Sequence, residues 1–359
     1  MTYLDYQATT PLAPEALDAM LPWLCDQHAN PHSAHGPGRA AKAAVEVARE
    51  QVAALLPDGG TVAFTSGATE ALNWAIKGVG GPIVTIATEH AAVLDTAAAI
   101  GEATVLPVGR DGLVDMEAAR AAIRPGVRLV AAMLVNNEIG VIQPVAELAK
   151  LAHEAGALFL CDAVQGYGRL PIPGGCDLIA VSAHKIYGPK GIGALWVRDG
   201  VDVAPLLHGG RQEAAGRSGT LSPALCAGFG AAAGLLRSRA GEDAAHVARL
   251  WKAALTTLGE PWTVNGSTEH RYRGNVNVRR DGLDVARLMS DLRDIAFSAG
   301  SACASGSGRP SHVLRAIGLS DAEARSSIRI GFGRYTTEAE LVDALSRIDA
   351  VAQAQRVAA

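Results

Sequence analysis

Two residues of this chain could do covalent chemistry together, because each lies just after an apolar run. Lys185 ends the segment Ser182-Ala183-His184-Lys185, which follows the apolar run 178–181, and Asp162 lies just after the run 158–160. A lysine at the mouth of a buried strand is partly desolvated, which lowers the pKa of its amine and allows a Schiff base with an aldehyde cofactor. A nearly buried carboxylate needs a cationic or N–H partner. Glycine and proline follow Lys185 at 188–193. Taken alone, a lysine beside such a glycine-rich stretch is more often an ordinary surface residue.

The elements around these two residues predict how they would meet. Apolar runs typical of buried strands occur at 62–64, 83–87, 129–135, 157–160, 178–181 and 194–197, with helical stretches between several of them. This alternation predicts an α/β fold with a mostly parallel sheet and a site along the edge where the strands end. If the strands before Asp162 and Lys185 are parallel neighbours, the carboxylate can hold a pyridinium nitrogen while the lysine binds the aldehyde of the same ring. The set of strand ends together favours the catalytic interpretation of Lys185.

Other strand ends carry polar residues that suit such a site. His90 lies past the run 83–87, where ligand sites of α/β proteins form, although a structural histidine is the commoner case in general. The segment 65–70, Thr-Ser-Gly-Ala-Thr-Glu, places hydroxyls and small residues between a short strand and a helix start. It predicts either a phosphate site or a plain helix N-cap. The segment 217–220, Arg-Ser-Gly-Thr, is a second loop suited to phosphate.

Two residues in the last third of the chain also call for an explanation. Cys303 lies in a stretch rich in glycine and serine, 298–311, which predicts a mobile, solvated loop. An exposed free thiol is an oxidation liability, so it indicates either a chemical role or an accidental cysteine. Arg329 stands between apolar strand residues and is expected to meet a carboxylate, from a structural Asp or Glu or from an amino-acid substrate. The remaining cysteines are predicted to pack among apolar or small residues: Cys25, Cys161, Cys176 and Cys226.

Composition bounds the class of protein. With 359 residues the chain is long enough for two domains, and 49% hydrophobic but only 4% aromatic residues predict a core of Ala, Val, Leu and Ile. A formal charge of −4 without a basic run argues against nucleic acid or an anionic membrane as the main partner. A transmembrane helix and a signal peptide are not expected, because neither pattern is present. Five scattered cysteines fit reduced thiols in the cytoplasm, and His32 and His35 lack a nearby acidic or thiol ligand, so no metal site is predicted.

Taken in order, these segments resemble the cysteine desulfurases of the NifS/IscS-like branch, within the class V, fold-type-I group of pyridoxal-phosphate enzymes. The resemblance runs from Tyr3-Leu4-Asp5-Tyr6 to Gly333-Arg334-Tyr335-Thr336-Thr337, nearly the whole chain. Its most specific pieces are TSGATE at 65–70, TEH at 88–90, NNEIG at 136–140, HKIYGPKGIGAL at 184–195, RSGT at 217–220, SAGSAC at 298–303 and SSIR at 326–329. Val164 and Ala183 stand where many relatives have Thr and Gly, and neither side chain has an obligatory role.

The resemblance implies an architecture and partners. It implies a large domain with a mostly parallel central sheet between helices, over residues 14–240. It also implies a smaller α+β domain made of residues 1–13 and 241–359. The cofactor would be pyridoxal 5′-phosphate, the substrate L-cysteine and the assembly a homodimer. A further protein would take up the sulfur, with an iron–sulfur scaffold as one candidate.

The resemblance also implies roles for individual residues. Lys185 would bind the cofactor aldehyde, His90 would stack on the ring and relay protons, and Cys303 would accept the sulfur. Arg329 and Asn137, which also borders the cofactor, would take the substrate carboxylate. The other cofactor contacts would be Asp162 at the pyridine nitrogen, Gln165 at the phenolic oxygen, the phosphate ligands Ala68 (backbone), Thr69, Ser182 and His184, and Thr220 of the other subunit.

The implied reaction converts L-cysteine to L-alanine, with attack of the Cys303 thiolate on the substrate sulfur to leave a persulfide on the enzyme. Two alternatives remain open. The first is another class V enzyme, such as an aminotransferase or a selenocysteine lyase, and Cys303 argues against a plain aminotransferase. The second is a non-catalytic relative that serves as an interaction platform. The presence of Lys185, Asp162, His90 and Cys303 together argues against that interpretation.

Overall fold

The computed structural model of the protein describes residues 1–101, 103–213, 216–300 and 310–357. The first part of the chain forms, in order, β1 (Thr2–Tyr3), α1 (Pro14–Cys25), α2 (Gly36–Ala53), β2 (Gly60–Thr65), α3 (Ala68–Val79), β3 (Ile83–Ile86), α4 (Ala91–Ile100), β4 (Ala103–Leu106), α5 (Met116–Ala122), β5 (Leu129–Met133), α6 (Val145–Glu154), β6 (Leu158–Asp162), β7 (Leu178–Ser182), a 3₁₀ turn (Ala183–Lys185), β8 (Gly193–Arg198) and α7 (Pro223–Leu258). The second part forms β9 (Thr263–Val264), β10 (Asn275–Arg279), α8 (Val285–Asp291), β11 (Ile295–Ala296), β12 (Ser298–Ala299), α9 (His312–Ala316), α10 (Asp321–Arg325), β13 (Ser327–Gly331) and α11 (Glu338–Val357).

The central sheet has seven strands within the described ranges, in the spatial order β2-β8-β7-β6-β5-β3-β4. Strands β7, β6, β5, β3 and β4 pair in parallel, while β8 lies antiparallel between β7 and β2. Strands β5 and β7 are buried along their whole length, as expected of strands covered by helices on both faces. The predicted fold class, with its mostly parallel sheet, is confirmed.

Alternate residues of the central strands face two separate layers of helices. In β6, Phe159 and Cys161 belong to an apolar cluster with residues of α2, α6 and α7. Leu160, between them, belongs to a cluster with residues of α3 and α4. This alternation follows from the two-residue period of a strand. Because both faces are covered, the strand ends are left as the place where a ligand can enter.

A second sheet and core occupy the C-terminal part of the chain. Strands β12, β13, β10 and β9 form an antiparallel sheet in that order, and its core takes in residues of α7, α8 and α11. Leu4 of the N-terminal arm is buried in the same core, and β1 pairs in parallel with β11. Helix α7 runs unbroken across residue 240, so the predicted domain bounds remain a prediction.

The starts and faces of α1 and α2 follow from their residues. Helix α2 begins at Gly36, because His35 Nδ1 accepts a hydrogen bond from the Gly38 N–H and caps it. The expectation that Cys25 packs inside is wrong, whereas Cys161, Cys176 and Cys226 are buried. Helix α1 buries its Met20 face, and Cys25 lies about 140° around the helix from it. In the part of the chain that the structure describes, no helix is both long and apolar enough to span a membrane.

Candidate active site

A cavity of about 660 Å³ lies at the carboxyl ends of the central strands. It is lined by residues from distant stretches of the sequence, including most of the positions predicted for the site. Those positions are Ala68, Thr69, His90, Asn137, Asp162, Gln165, Ser182, His184, Lys185 and Arg329. The structure therefore brings ten predicted residues together, and their individual roles remain predictions.

Lys185 enters this cavity from the turn that follows β7. Its Nζ donates hydrogen bonds to the backbone oxygens of Gln7 at 2.5 Å and Ala8 at 2.8 Å. The turn is tied to the same N-terminal arm, because the Thr10 N–H donates to the His184 oxygen at 2.9 Å. The arm is therefore part of the site, a role that sequence analysis did not assign. The arm motif was part of the resemblance. However, every residue type offers a backbone oxygen, so these two hydrogen-bond acceptors could not be recognised from the sequence.

Asp162 is the last residue of β6 and lies level with Ala180 of the neighbouring strand β7. Its Oδ1 accepts a hydrogen bond from the Val164 N–H at 3.0 Å. Burial raises the pKa of the Asp162 carboxyl, while the backbone bond and the nearby His90 and Lys185 act in the opposite direction. A buried carboxylate in this setting is stabilised by a cationic partner that it can hydrogen-bond.

Glu89 is a second buried carboxyl near Asp162, and sequence analysis missed it. Its side chain is fully buried, and Oε1 accepts a hydrogen bond from the Met133 N–H at 2.5 Å. Burial, and then the charge of Asp162, raises the pKa of Glu89 well above its ordinary value. The two buried carboxyls are therefore close enough for each to disfavour ionisation of the other. The available signal was the polar triplet Thr88-Glu89-His90 after a buried run.

Two histidines of the cavity are neutral at pH 7. His90 caps α4, and its Nδ1 accepts from the Ala92 N–H at 3.1 Å, which assigns the proton of the neutral ring to Nε2. Burial lowers the pKa of His90. His184 Nδ1 lies 3.2 Å from Thr9 Oγ1, and burial, assisted by Lys185, lowers the pKa of His184 to about 4. Neither ring therefore adds a positive charge to the cavity at neutral pH.

The start of α3 forms the end of the cavity suited to an anion. The N-cap of the helix is Gly67, and no side-chain hydrogen bond caps the helix there. A Cβ added to Gly67 would meet no atom within 4 Å. The space beside the backbone N–H groups at the start of α3 is therefore open. Glu70 accepts from the Ser66 N–H at 2.7 Å and pairs with Arg217 at 2.9 Å, which holds the loop 216–220 nearby. Thr220 of that loop is exposed and does not line the cavity.

Arg329 also lines the cavity and has a structural carboxylate partner. Its Nη2 donates to Asp5 Oδ1 at 2.7 Å and its Nη1 to the Asn137 backbone oxygen at 3.0 Å. The residue is 1% exposed, and its Nε is buried without a partner in the part of the chain that the structure describes. Arg329 therefore has the structural carboxylate partner that was expected. Its Nε remains an unused hydrogen-bond donor, in a residue that lines the cavity.

Cys303 falls in the segment 301–309, outside the described residues. The described residues on both sides of that segment contact the neighbourhood of the cavity. Gly300 N–H donates to the Ser327 oxygen at 2.8 Å, two residues before Arg329 in β13. Ser311 Oγ donates to Glu138 Oε2 at 2.5 Å, next to Asn137.

Comparison with known proteins gives one consistent result. Residues 2–345 match the model of the family described as Aminotransferase class-V. A mitochondrial cysteine desulfurase of Eremothecium gossypii is 47% identical, over 94% of this chain and 73% of its own length. The cysteine desulfurase IscS of Rickettsia massiliae is 42% identical, over 96% of this chain and 90% of its own. The solved structure of a NifS-like protein from Rickettsia africae superposes with a TM-score of 0.91 at 30% identity, covering 98% of this chain and 99% of that one.

Proposed function

The chain belongs to the cysteine desulfurases of the aminotransferase class-V family, and from this premise we propose that it converts L-cysteine to L-alanine with pyridoxal 5′-phosphate and passes the sulfur to Cys303. The observation that carries the proposal is the placement of Asp162 and Lys185. Asp162 ends one strand, Lys185 follows the adjacent parallel strand, and both line one cavity, as binding of one ring by both side chains requires.

The cavity fits the cofactor on three counts. The start of α3 offers an open, uncapped end to a phosphate, the buried Asp162 suits a pyridinium N–H, and Lys185 supplies an amine. Gln165 would meet the phenolic oxygen; its Nε2 donates to the Gln7 oxygen at 3.0 Å in this structure. The phosphate would be held by the Ala68 backbone, Thr69, Ser182 and His184, all of which line the cavity.

The residues of the chain then divide the work of the reaction. When bound, the cofactor supplies an electron sink for the electrons of the substrate Cα–H bond. Arg329 and Asn137 would orient the substrate carboxylate. Lys185 Nζ would move the Cα proton, and His90, neutral at pH 7, would donate or accept a proton at its ring.

The sulfur step falls to Cys303. Its thiolate would form an S–S bond with the substrate sulfur while the substrate Cβ–S bond breaks. The electron pair of the broken bond stays with Cβ, which takes a proton and becomes the methyl group of alanine. The contacts of Gly300 and Ser311 beside the cavity support this assignment, because they place both flanks of the cysteine-bearing segment near Arg329 and Asn137.

We further propose a homodimer in which Thr220 completes the phosphate site of the other subunit. Thr220 is exposed, while Arg217 of the same loop is tied to Glu70 at the start of α3. This arrangement fits a loop, 216–220, that lies beside the entrance of the cavity and exposes Thr220 to a second chain.

The persulfide would be delivered to a sulfur-acceptor protein, of which an iron–sulfur scaffold is one class. A reducing compartment suits this chemistry, because a persulfide and a free thiol both oxidise readily. We propose the cytoplasm for this chain on the grounds of its scattered thiols. The Eremothecium gossypii relative is described as mitochondrial, which is also a compartment in which this family occurs.

The proposal is tested by the products that the purified holoenzyme releases from L-cysteine in the presence of a reductant. We expect equal amounts of alanine and sulfide from the wild type, and neither product from Cys303→Ser, although that variant keeps the absorption of its bound cofactor. Cys25→Ser is the matched control, because Cys25 is the exposed thiol among the described cysteines, and it should keep full activity. Full activity of Cys303→Ser would refute the acceptor, and cofactor absorption without products in the wild type would refute the reaction.

A further inference from the structure

A second cavity, of about 200 Å³, is lined in part by Tyr187, two residues after Lys185. It is bounded by residues 168–170, by helix α7 and by residues 271–273. Its lining includes the apolar residues Leu170, Leu236 and Val247 and three arginines, Arg169, Arg271 and Arg273. We call this space the arginine cavity.

Arg271 is the buried cation of the arginine cavity. The residue is 4% exposed, and its guanidinium lies over the Trp251 ring at 4.2 Å from the centroid. Its hydrogen bonds are long and go to neutral backbone oxygens, those of Ser267 at 3.2 Å and Asn275 at 3.3 Å. Its Nε is buried without a partner among the described residues. Burial lowers the pKa of Arg271 to about 9, which shows how little the surroundings compensate its charge.

The other charged groups of the cavity do not supply the missing counter-charge. Asp243 is already held by Arg334, whose Nε and Nη2 bond both carboxylate oxygens at 2.5 to 3.1 Å. Arg169 donates to the backbone oxygens of Gln165 and Lys185 and lies over the Tyr272 ring. Within the described ranges, neither Arg169 nor Arg271 has a carboxylate within 4.0 Å. The cavity is therefore cationic, and its buried guanidinium lacks an anion.

We propose that the arginine cavity binds a small organic carboxylate, whose oxygens meet the guanidinium of Arg271 and whose apolar part lies against Leu236 and Val247. A carboxylate matches the planar fork of a guanidinium and carries a single charge. A phosphate would bring more charge and strong hydration to an apolar wall, at a larger desolvation cost. This site is separate from the cavity of the proposed reaction and does not depend on that reaction.

Calorimetric titration of the holoenzyme with sodium butyrate tests the proposal, with butyramide as the uncharged analogue and sodium chloride as the ionic-strength control. We expect butyrate to bind and the other two to give no binding. Arg271→Met should lower the affinity for butyrate by roughly tenfold to a hundredfold, since it removes a charge-assisted hydrogen-bonded pair. Arg271→Lys keeps the charge without the fork and should fall between the two. No binding of butyrate to the wild type would overturn the proposal.

A second pair of variants keeps the test decisive if Arg271→Met fails to fold. Ala244 is an exposed position of α7 that lines the cavity, so Ala244→Leu should fill the space and abolish binding. Ala245→Leu, at the next exposed position and outside the lining, should bind butyrate like the wild type. Arg329→Met removes the arginine of the larger cavity and should also leave butyrate binding unchanged. Binding that is lost in Arg329→Met but survives in Ala244→Leu would place butyrate in the larger cavity and overturn the proposal.

Discussion

Replacing Asp5 by asparagine would leave the Arg329 guanidinium buried without its counter-charge. The Arg329 side chain is 2% exposed, that of Asp5 is 20% exposed, and their atoms Nη2 and Oδ1 are 2.7 Å apart. Removing one partner of a buried ion pair costs about 3–5 kcal/mol, because the remaining charge stays desolvated. Since solvent reaches part of Asp5, we expect a loss of about 3 kcal/mol in the free energy of unfolding, at the lower end of that range.

The measurement is a double-mutant cycle in urea with Asp5→Asn, Arg329→Met and the double variant. Circular dichroism and tryptophan fluorescence should give coincident transitions before free energies are compared. The double variant removes both charges and should be destabilised by clearly less than the sum of the single variants. Asp294→Asn is the control, because Asp294 and its partner Arg347 are 58% and 41% exposed and solvent screens their pair. Additive single losses, or an Asp5 effect no larger than that of Asp294, would refute the reasoning.

Three further predictions concern the larger cavity and the assembly. After addition of pyridoxal phosphate and reduction with borohydride, the label should be found on Lys185 in the wild type and in Lys190→Ala, which also lines the cavity, but should be absent from Lys185→Ala; labelling of another lysine would contradict the assignment. In the cofactor-free protein the pKa of His184 is lowered from 6.5 to about 4, so the unfolded state binds more protons within that window. The stability contributed by neutral His184 is complete above pH 6.5 and falls as the pH drops towards 4, so the pH dependence of the melting temperature should be flatter in His184→Gln. For Thr220, mixed dimers of Lys185→Ala and Thr220→Val chains should regain activity, because one of their two sites then has both native residues; no gain over the separate variants would argue that Thr220 does not act across the interface.

The sequence was sufficient to predict the features of the site that depend on local pattern. Apolar runs predicted the central strands, and their polar ends predicted that Asp162 and Lys185 would lie at one edge of a parallel sheet. The edge strand β4 was not predicted, because three of its four residues are exposed and carry no buried apolar pattern. Glu89 was missed because burial of a charged residue type is decided by tertiary packing, and its position after a strand resembles that of any polar residue in a loop.

The individual contacts that tie the N-terminal arm to the rest of the chain could not be predicted either. The partner of Lys185 Nζ is a backbone oxygen 178 positions away, and every residue type offers such an oxygen. Asp5 and Arg329 are 324 positions apart, and the sequence contains many other acidic residues that could have met this arginine. Such pairs are fixed by the packing of two cores, one of which includes Leu4, and local periodicity carries no information about them.

The arm also determines what a ligand must replace when it binds Lys185. In this structure Nζ satisfies the backbone oxygens of Gln7 and Ala8 at once. The Gln7 backbone oxygen still accepts a hydrogen bond when Nζ is withdrawn, because Gln165 Nε2 donates to the same oxygen at 3.0 Å. No second donor to the Ala8 oxygen is observed among the described residues, so this group must find water or a ligand atom when Nζ is withdrawn. Withdrawal of Nζ therefore costs the hydrogen bond at the Ala8 oxygen unless water or a ligand atom replaces it.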